Sequence, residues 1–204
     1  EKQERILVIN NITQTLVNID SPTISQMNYV HNLSILSSIP ISANLHSQKA
    51  SSRALLCGFG GGSISNELTR LGYVTDAVEI DKRMVNLAKK YFGFNEKSCK
   101  IFIDDARHFI RKSNEVYDLI VIDLLTSEVQ PSHIFTVENF EHIKKMLSDN
   151  GVLIINFQGY IYGEEGKASR SVLKTLLKSK FNVMLYFNHD EIQKIVTDIF
   201  FIAS

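Results

Sequence analysis

The chain has 204 residues, no formal net charge, 44% hydrophobic and 22% charged residues. That length suits one domain, or one domain with a small appendage, and can bury a core without disulfide or metal staples. A neutral balance provides no basic field for nucleic acid, and no run approaches the roughly 20 apolar residues that cross a bilayer.

The chain opens on Glu1 rather than Met and shows no signal-peptide pattern, as a processed product or an excised fragment would; a neighbouring domain stays open. Its two cysteines, Cys57 and Cys99, fall in or beside expected strands. They read as buried, reduced thiols, which points to the cytoplasm. A nucleophilic Cys57 would need a partner histidine, and the sequence offers none. The six histidines have no metal-ligand spacing, so no metal is expected.

Arg5 to Ile19 alternates as two strands around Asn10-Asn11, a pair that tolerates the left-handed conformation of a tight hairpin. Ser21-Pro22 is expected to end the hairpin. Gln26 to Leu36 has a helical apolar face, and Ser37 to Ser52 reads as a connection. Residues 1–50 are therefore expected to form a hairpin-and-helix cap, and residues 51–204 the main domain.

Arg53 to Asp81 is the centre of that domain. A short apolar run, Ala54 to Cys57, leads into Gly58, Gly60, Gly61 and Gly62. A helix from Ser63 and a second apolar run ending at Glu79, Ile80 and Asp81 follow. Glycines bring a backbone close to a ligand. The first turn of the helix offers free N–H groups. An acid at the tip of the next strand can accept both ribose hydroxyls. The pattern predicts a crevice for a nucleoside-containing cofactor.

Further elements alternate: helix Lys82 to Tyr91, strand Lys100 to Ile103, helix Arg107 to Arg111, and strand Tyr117 to Ile122. A loop, Leu124 to Ile134, is long enough to cover the site. Helix Val137 to Leu147 precedes an Asp149-Asn150-Gly151 turn and strand Val152 to Phe157. After a loop from Gln158 to Gly166 and a helix from Ser169 to Leu177, two strands close the chain around Asn188-His189-Asp190. This predicts an α/β fold, a mostly parallel sheet with an antiparallel C-terminal strand. Glu79, Asp105 and Asp123 end three successive strands and should converge on one crevice. A ribose needs one acceptor and an adenine amino group needs another. The third acid would lie where transfer occurs. Each could instead cap the next helix, Asp105 above all.

The order of these motifs resembles the spermidine synthase family, aminopropyltransferases built on the Rossmann-like S-adenosylmethionine methyltransferase fold. The resemblance covers nearly the whole chain. Gly58 to Ser63 falls on the family's GGGDGG, and Glu79 to Asp81 on its ribose-binding acid motif. Asp105-Ala106 falls on the pair that meets adenine, and Tyr117 to Asp123 on the strand ending in the catalytic aspartate. Gln14 after the hairpin turn and His31 in the first helix also resemble family positions. The resemblance implies S-adenosylmethionine, or its decarboxylated form, held by Gln14, Gly58, Gly60, Gly61, Gly62, Glu79, Ile80, Asp105 and Ala106. It further implies Asp123 as the catalytic aspartate, and a homodimer.

The departures fall on the polyamine side. Gly61 replaces the acid that binds the amine of the decarboxylated cofactor. The family's DSSDP reads DLLTS, with Thr126 for the second acid. Its Tyr-Gln-Glu aligns with Ser25-Gln26-Met27. Each lost charge-assisted hydrogen bond removes roughly 1.5–3 kcal/mol of attraction for a diamine. Three expectations follow. The first is an S-adenosylmethionine-dependent methyltransferase with an unidentified small acceptor. The second is an aminopropyltransferase with Glu128 or Asp20 as replacement ligands. The third is a non-catalytic scaffold.

Overall fold

A computed structural model describes residues 3–43, 51–124, 131–187 and 196–204. Strands β1 (Glu4–Ile9) and β2 (Ile12–Asn18) pair antiparallel. Asn10 and Asn11 turn between them at φ 49° and 62°, the left-handed region that Asn tolerates. A third strand, β3 (Ser21–Ser25), then pairs with β2, so Ser21-Pro22 does not end the sheet as expected. β3 is an outer strand, and an outer strand accommodates a proline that cannot donate. Helix α1 (Asn28–Leu36) follows, and a short α2 (Ile39–Ala43) occupies part of the expected connection.

The main sheet has seven strands in the order β6-β5-β4-β7-β8-β10-β9. They are β4 (Arg53–Cys57), β5 (Val74–Glu79), β6 (Cys99–Ile103), β7 (Tyr117–Ile122), β8 (Leu147–Gly159), β9 (Val183–Phe187) and β10 (Thr197–Ala203). β6, β5, β4, β7 and β8 run parallel, and β10 pairs antiparallel with both β8 and β9. This is the expected fold class. Helices α3 (Ser63–Arg70), α4 (Lys82–Tyr91), α5 (Ala106–Lys112), α6 (Val137–Met146) and α7 (Lys167–Lys178) cover the sheet.

Strand periodicity splits the core into two layers. Leu55, Cys57, Ile120 and Ile122 pack with Phe140, Ile143 and Leu176 on one face. Ala54, Leu56, Leu119 and Val121 pack with Ile64, Leu68, Val30 and Leu33 on the other. The helix of the N-terminal cap is thus part of the second layer. Hydrogen bonds pin it there: Ser34 Oγ donates to Glu67 Oε2 (2.9 Å) and accepts from Arg70 Nη2 (3.3 Å), and Tyr73 donates to the Ser37 carbonyl (2.7 Å).

β8 begins at Leu147, directly after α6, rather than at Val152. The expected Asp149-Asn150-Gly151 turn is a bulge within it: partners step from Tyr117–Leu147 to Leu119–Val152. Val152 to Phe157 was legible as a strand because it is apolar. Leu147 to Asn150 is not, and pairs only through tertiary context.

The chain winds outward from β4 to β6, then returns to β7 on the other side of β4. The switch point therefore lies between β4 and β7, where an open parallel sheet leaves a crevice. Asp123 N–H donates to the Cys57 carbonyl (2.9 Å), and Gly58 N–H to the Val78 carbonyl (3.0 Å), so the ends of three strands are tied there. Gly58 has φ 95°, and a Cβ on it would lie 2.1 Å from the Asp123 carbonyl oxygen. Gly58→Ala should therefore cost about 2–4 kcal/mol in urea unfolding. A loss below about 1 kcal/mol would contradict this packing of the switch point.

Candidate functional site

The glycine turn between β4 and α3 opens onto a cavity of about 270 Å³, with Gln14, Thr15, Gly58, Gly60, Gly61, Glu79, Ile80 and Asp123 among its lining residues. Glu79 is nearly buried (9% exposed) at the tip of β5. One carboxylate oxygen accepts from Phe59 N–H (3.1 Å) and the other from Asp81 N–H (2.9 Å). The acid therefore fixes the turn that it faces across the cavity. Asp81 caps α4, accepting from Arg83 N–H (2.9 Å). Gln14 Nε2 is enclosed and has no acceptor among the described residues, so it is a donor available to a ligand.

Gly61 is hemmed in from the hairpin. Its N–H donates to Thr15 Oγ1 (3.1 Å), and a Cβ on Gly61 would lie 2.5 Å from that oxygen. No side chain fits there while Thr15 holds its place, and Thr15 is 2% exposed.

A smaller cavity of about 80 Å³ adjoins the first. Gln14, Tyr29 and Asp123 line both, and Asn156, Gln158 and Asp198 line the smaller one. Asp123 thus stands at the junction. Asn156 Nδ2 donates to its Oδ1 (2.9 Å). Burial pushes the Asp123 carboxyl up to about 6; the Asn156 hydrogen bond opposes this, and the charge of Asp198 adds to it. Burial, with the charges of Asp123 and Asp198, also holds the Tyr29 hydroxyl well above its ordinary range. A carboxyl near 6 can hold or release a proton close to neutral pH, which suits a general base.

Of the residues expected to hold a cofactor, Gln14, Gly58, Gly60, Gly61, Glu79 and Ile80 line the larger cavity with Asp123. Gly62 caps α3 beside it. Asp105 caps α5, accepting from His108 N–H (2.9 Å), with His133 Nε2 at 3.5 Å from its other oxygen; Ala106 is buried at the start of that helix. Gln26, His31 and Asp20 are exposed and line neither cavity. Tyr29, not Ser25, presents an aromatic hydroxyl to the site, three residues beyond the aligned Gln26. Leu125, Thr126, Glu128 and the Asn188-His189-Asp190 turn lie outside the described residues. Cys57 is fully buried, and burial pushes its thiol up to about 12, so it stays protonated and is not an activated nucleophile. Among the described residues, no cluster of His, Cys, Asp and Glu could hold a metal ion. No helix there is long and apolar enough to cross a membrane.

Sequence reasoning missed Thr15, Tyr29, Asn156, Gln158 and Asp198. Asn156 carries the one usable signal, an amide inside the apolar run Val152 to Phe157.

The raised Asp123 carboxyl has a consequence for stability. A folded-state value above the unfolded one favours folding while the group is protonated. That contribution is complete below about pH 4 and lost as pH rises through about 6. Asp123→Asn should therefore be more stable than the parent at pH 8 by about 2–3 kcal/mol, with little difference at pH 4, in denaturant titrations at both pH values. A parent chain as stable as the variant at pH 8 would contradict the burial of this charge.

Comparison with known proteins matches residues 38–189 to the spermine/spermidine synthase domain family. A polyamine aminopropyltransferase of Thermoplasma volcanium is 36% identical over 107 residues, 50% of this chain and 39% of that protein. An N-terminal histidine N-methyltransferase of Emericella nidulans is 37% identical over 117 residues, 55% of this chain and 21% of that one. The chain thus spans less than half the length of these two curated relatives. In structure, it resembles a probable spermidine synthase from Corynebacterium glutamicum with a TM-score of 0.81 and 19% identity, over 98% of this chain and 71% of the other. The switch-point crevice, the acid at the tip of β5, Asp123 at the end of β7 and the match over residues 38–189 agree: the chain belongs to the spermine/spermidine synthase domain family.

Proposed function

We propose that this chain is an S-adenosylmethionine-dependent methyltransferase acting on a small acceptor beside Asp123. The observation that carries the reading is the Thr15–Gly61 contact. The family resemblance places an acid at Gly61 to bind the amine of the decarboxylated cofactor. Here a side chain at Gly61 would meet Thr15 Oγ1 at 2.5 Å. The subsite for that ammonium group is filled by a hairpin hydroxyl instead of a carboxylate.

The larger cavity suits a nucleoside. Glu79 would accept from the ribose hydroxyls, and Gln14 Nε2 offers a donor that lacks an acceptor. The Gly58–Gly61 backbone lets the chain of the cofactor lie close. Asp105 would serve the adenine amino group from the neighbouring strand end. When bound, S-adenosylmethionine supplies a methyl group already activated on a sulfonium, so transfer needs little acid–base help. The protein's part is alignment and proton removal. Asp123, at the junction of the two cavities, would orient the acceptor and take its proton. Two buried thiols fit a reducing cytoplasm, and the exposed Ile6, Val8 and Ile24 of the hairpin sheet fit a homodimer contact.

Aminopropyl transfer is the second reading. The name of the Thermoplasma volcanium relative favours it, as does an acid retained at Asp123.

A thermal shift with each form of the cofactor separates the two readings. At about 100 times its dissociation constant, the preferred form should stabilise the fold by roughly 2.7 kcal/mol. The methyltransferase reading expects S-adenosylmethionine to give the larger shift, and Glu79→Ala to weaken its binding at least tenfold. A larger shift with the decarboxylated form would overturn it.

A further inference from the structure

No Lys, Arg or His lines either cavity among the described residues, yet a carboxylate stands at their junction. The charges around Asp123 are of its own sign: Asp198 acts on it from β10, and Glu79 and Asp81 line the larger cavity. The Tyr29 hydroxyl, from α1, stays neutral. Burial and like charge both favour the protonated form of such a group. A protonated carboxyl cannot take a proton, so whatever keeps Asp123 ionised has to be a neutral hydrogen-bond donor.

Sheet register supplies that donor. β7 and β8 run parallel with Ile122 beside Ile155, so the next step sets Asp123 beside Asn156. Side-by-side residues on neighbouring strands share one face of the sheet. Asn156 Nδ2 donates to Asp123 Oδ1 at 2.9 Å. On its other flank Asp123 is held through its backbone, whose N–H donates to the Cys57 carbonyl of β4 (2.9 Å). Gln14, Tyr29 and Gln158 also bring donors to these walls. Gln14 Nε2 has no acceptor, however, and the side-chain bond that opposes burial of the carboxylate comes from Asn156. An amide is costly in this place. Asn156 is 8% exposed in the otherwise apolar stretch Val152 to Phe157, and its Oδ1 is enclosed without a donor among the described residues. Turning the amide over would set Oδ1 against a carboxylate oxygen, so the charge of Asp123 fixes its orientation. A valine or isoleucine there would pack without leaving a buried acceptor unpaired.

We propose that Asn156 is a positioning residue for Asp123: its amide fixes which way the carboxylate faces at the junction of the cavities and keeps it in the form that accepts a proton. The proposal rests on the reading of Asp123 as the group that takes the acceptor's proton, and adds the residue that makes it able to. Its sign separates it from a packing role. Loss of the donor favours the protonated form, and the titration of Asp123 moves to higher pH. Loss of packing alone admits water, which favours the charged form, and the titration moves to lower pH.

The test follows the carboxyl carbon of Asp123 by NMR in the whole chain, labelled with carbon-13 at its aspartate carboxyls. The Asp123 signal is identified by its absence from Asp123→Asn. In the parent it should titrate near pH 6. In Asn156→Leu, which keeps the branched shape without a donor, the midpoint should rise by about one pH unit or more. An unmoved or lowered midpoint would overturn the proposal. Should that variant fail to fold, the parent decides alone. Its Asn156 side-chain amide nitrogen should shift with the midpoint of Asp123, and stop shifting in Asp123→Asn; an amide blind to that titration would overturn the proposal equally. Titration calorimetry with S-adenosylmethionine on the same samples keeps the two readings apart. A raised midpoint in a parent chain that does not bind it leaves Asn156 in its role and removes the transferase reading. Binding with an unmoved midpoint removes the role of Asn156 alone.

Discussion

The close approach of Gly58 to Asp123 is the constraint on which the rest of the site depends. Two parallel strands that part at a switch point leave a gap, and their ends need not touch. Here the Asp123 N–H bonds to the Cys57 carbonyl, and the Asp123 carbonyl occupies the space where a side chain of Gly58 would stand. That contact sets the glycine turn and the acid of β7 side by side. Glu79 then holds the turn from the opposite side through Phe59 N–H. One backbone approach thus fixes the distance between the larger cavity and the Asp123 carboxylate. The cost is a charge in a poorly hydrated place, which explains why the Asp123 carboxyl is pushed towards neutral pH.

The N-terminal hairpin completes the site. Gln14 and Thr15, adjacent on β2, both face the larger cavity; Gln14 also reaches the smaller one, and Thr15 closes the space over Gly61. Tyr29, from α1, lies in the wall of both cavities. The hairpin and first helix therefore wall both cavities, and the helix is held to the main sheet layer by apolar packing and the Ser34–Glu67 bond. A change in the hairpin can alter the space over the glycine turn, without any change in the turn itself.

Much of the fold was legible because its signals are local. Alternation gave β1 and β2, the apolar runs gave β4, β5 and β7, and the glycines and strand-end acids located the crevice. What escaped was set by distance in the chain. β3 carries a proline that reads as a stop until its place at a sheet edge is known. Ser148 to Asn150, just after the first residue of β8, are polar and lie in the strand only because β7 is beside them. Asp198 looks like an ordinary strand residue until β10 is laid against β8. Aligning Ser25-Gln26-Met27 with a family motif missed Tyr29, because a shift of a few residues on a helix start changes which side chain enters the cavity. The departures from the family's acids were readable in sequence at Gly61 and Thr126. Asp198 from β10 and Asn156 from β8, which line the smaller cavity together, needed the sheet order.

Product analysis tests the central claim most directly. The whole chain would be incubated with primary amines and, in separate reactions, with S-adenosylmethionine and with its decarboxylated form, and the nucleoside products identified by mass spectrometry. The account predicts S-adenosylhomocysteine and a methylated amine from the first reaction, and no 5′-methylthioadenosine from the second. Release of 5′-methylthioadenosine with an aminopropylated amine would contradict it.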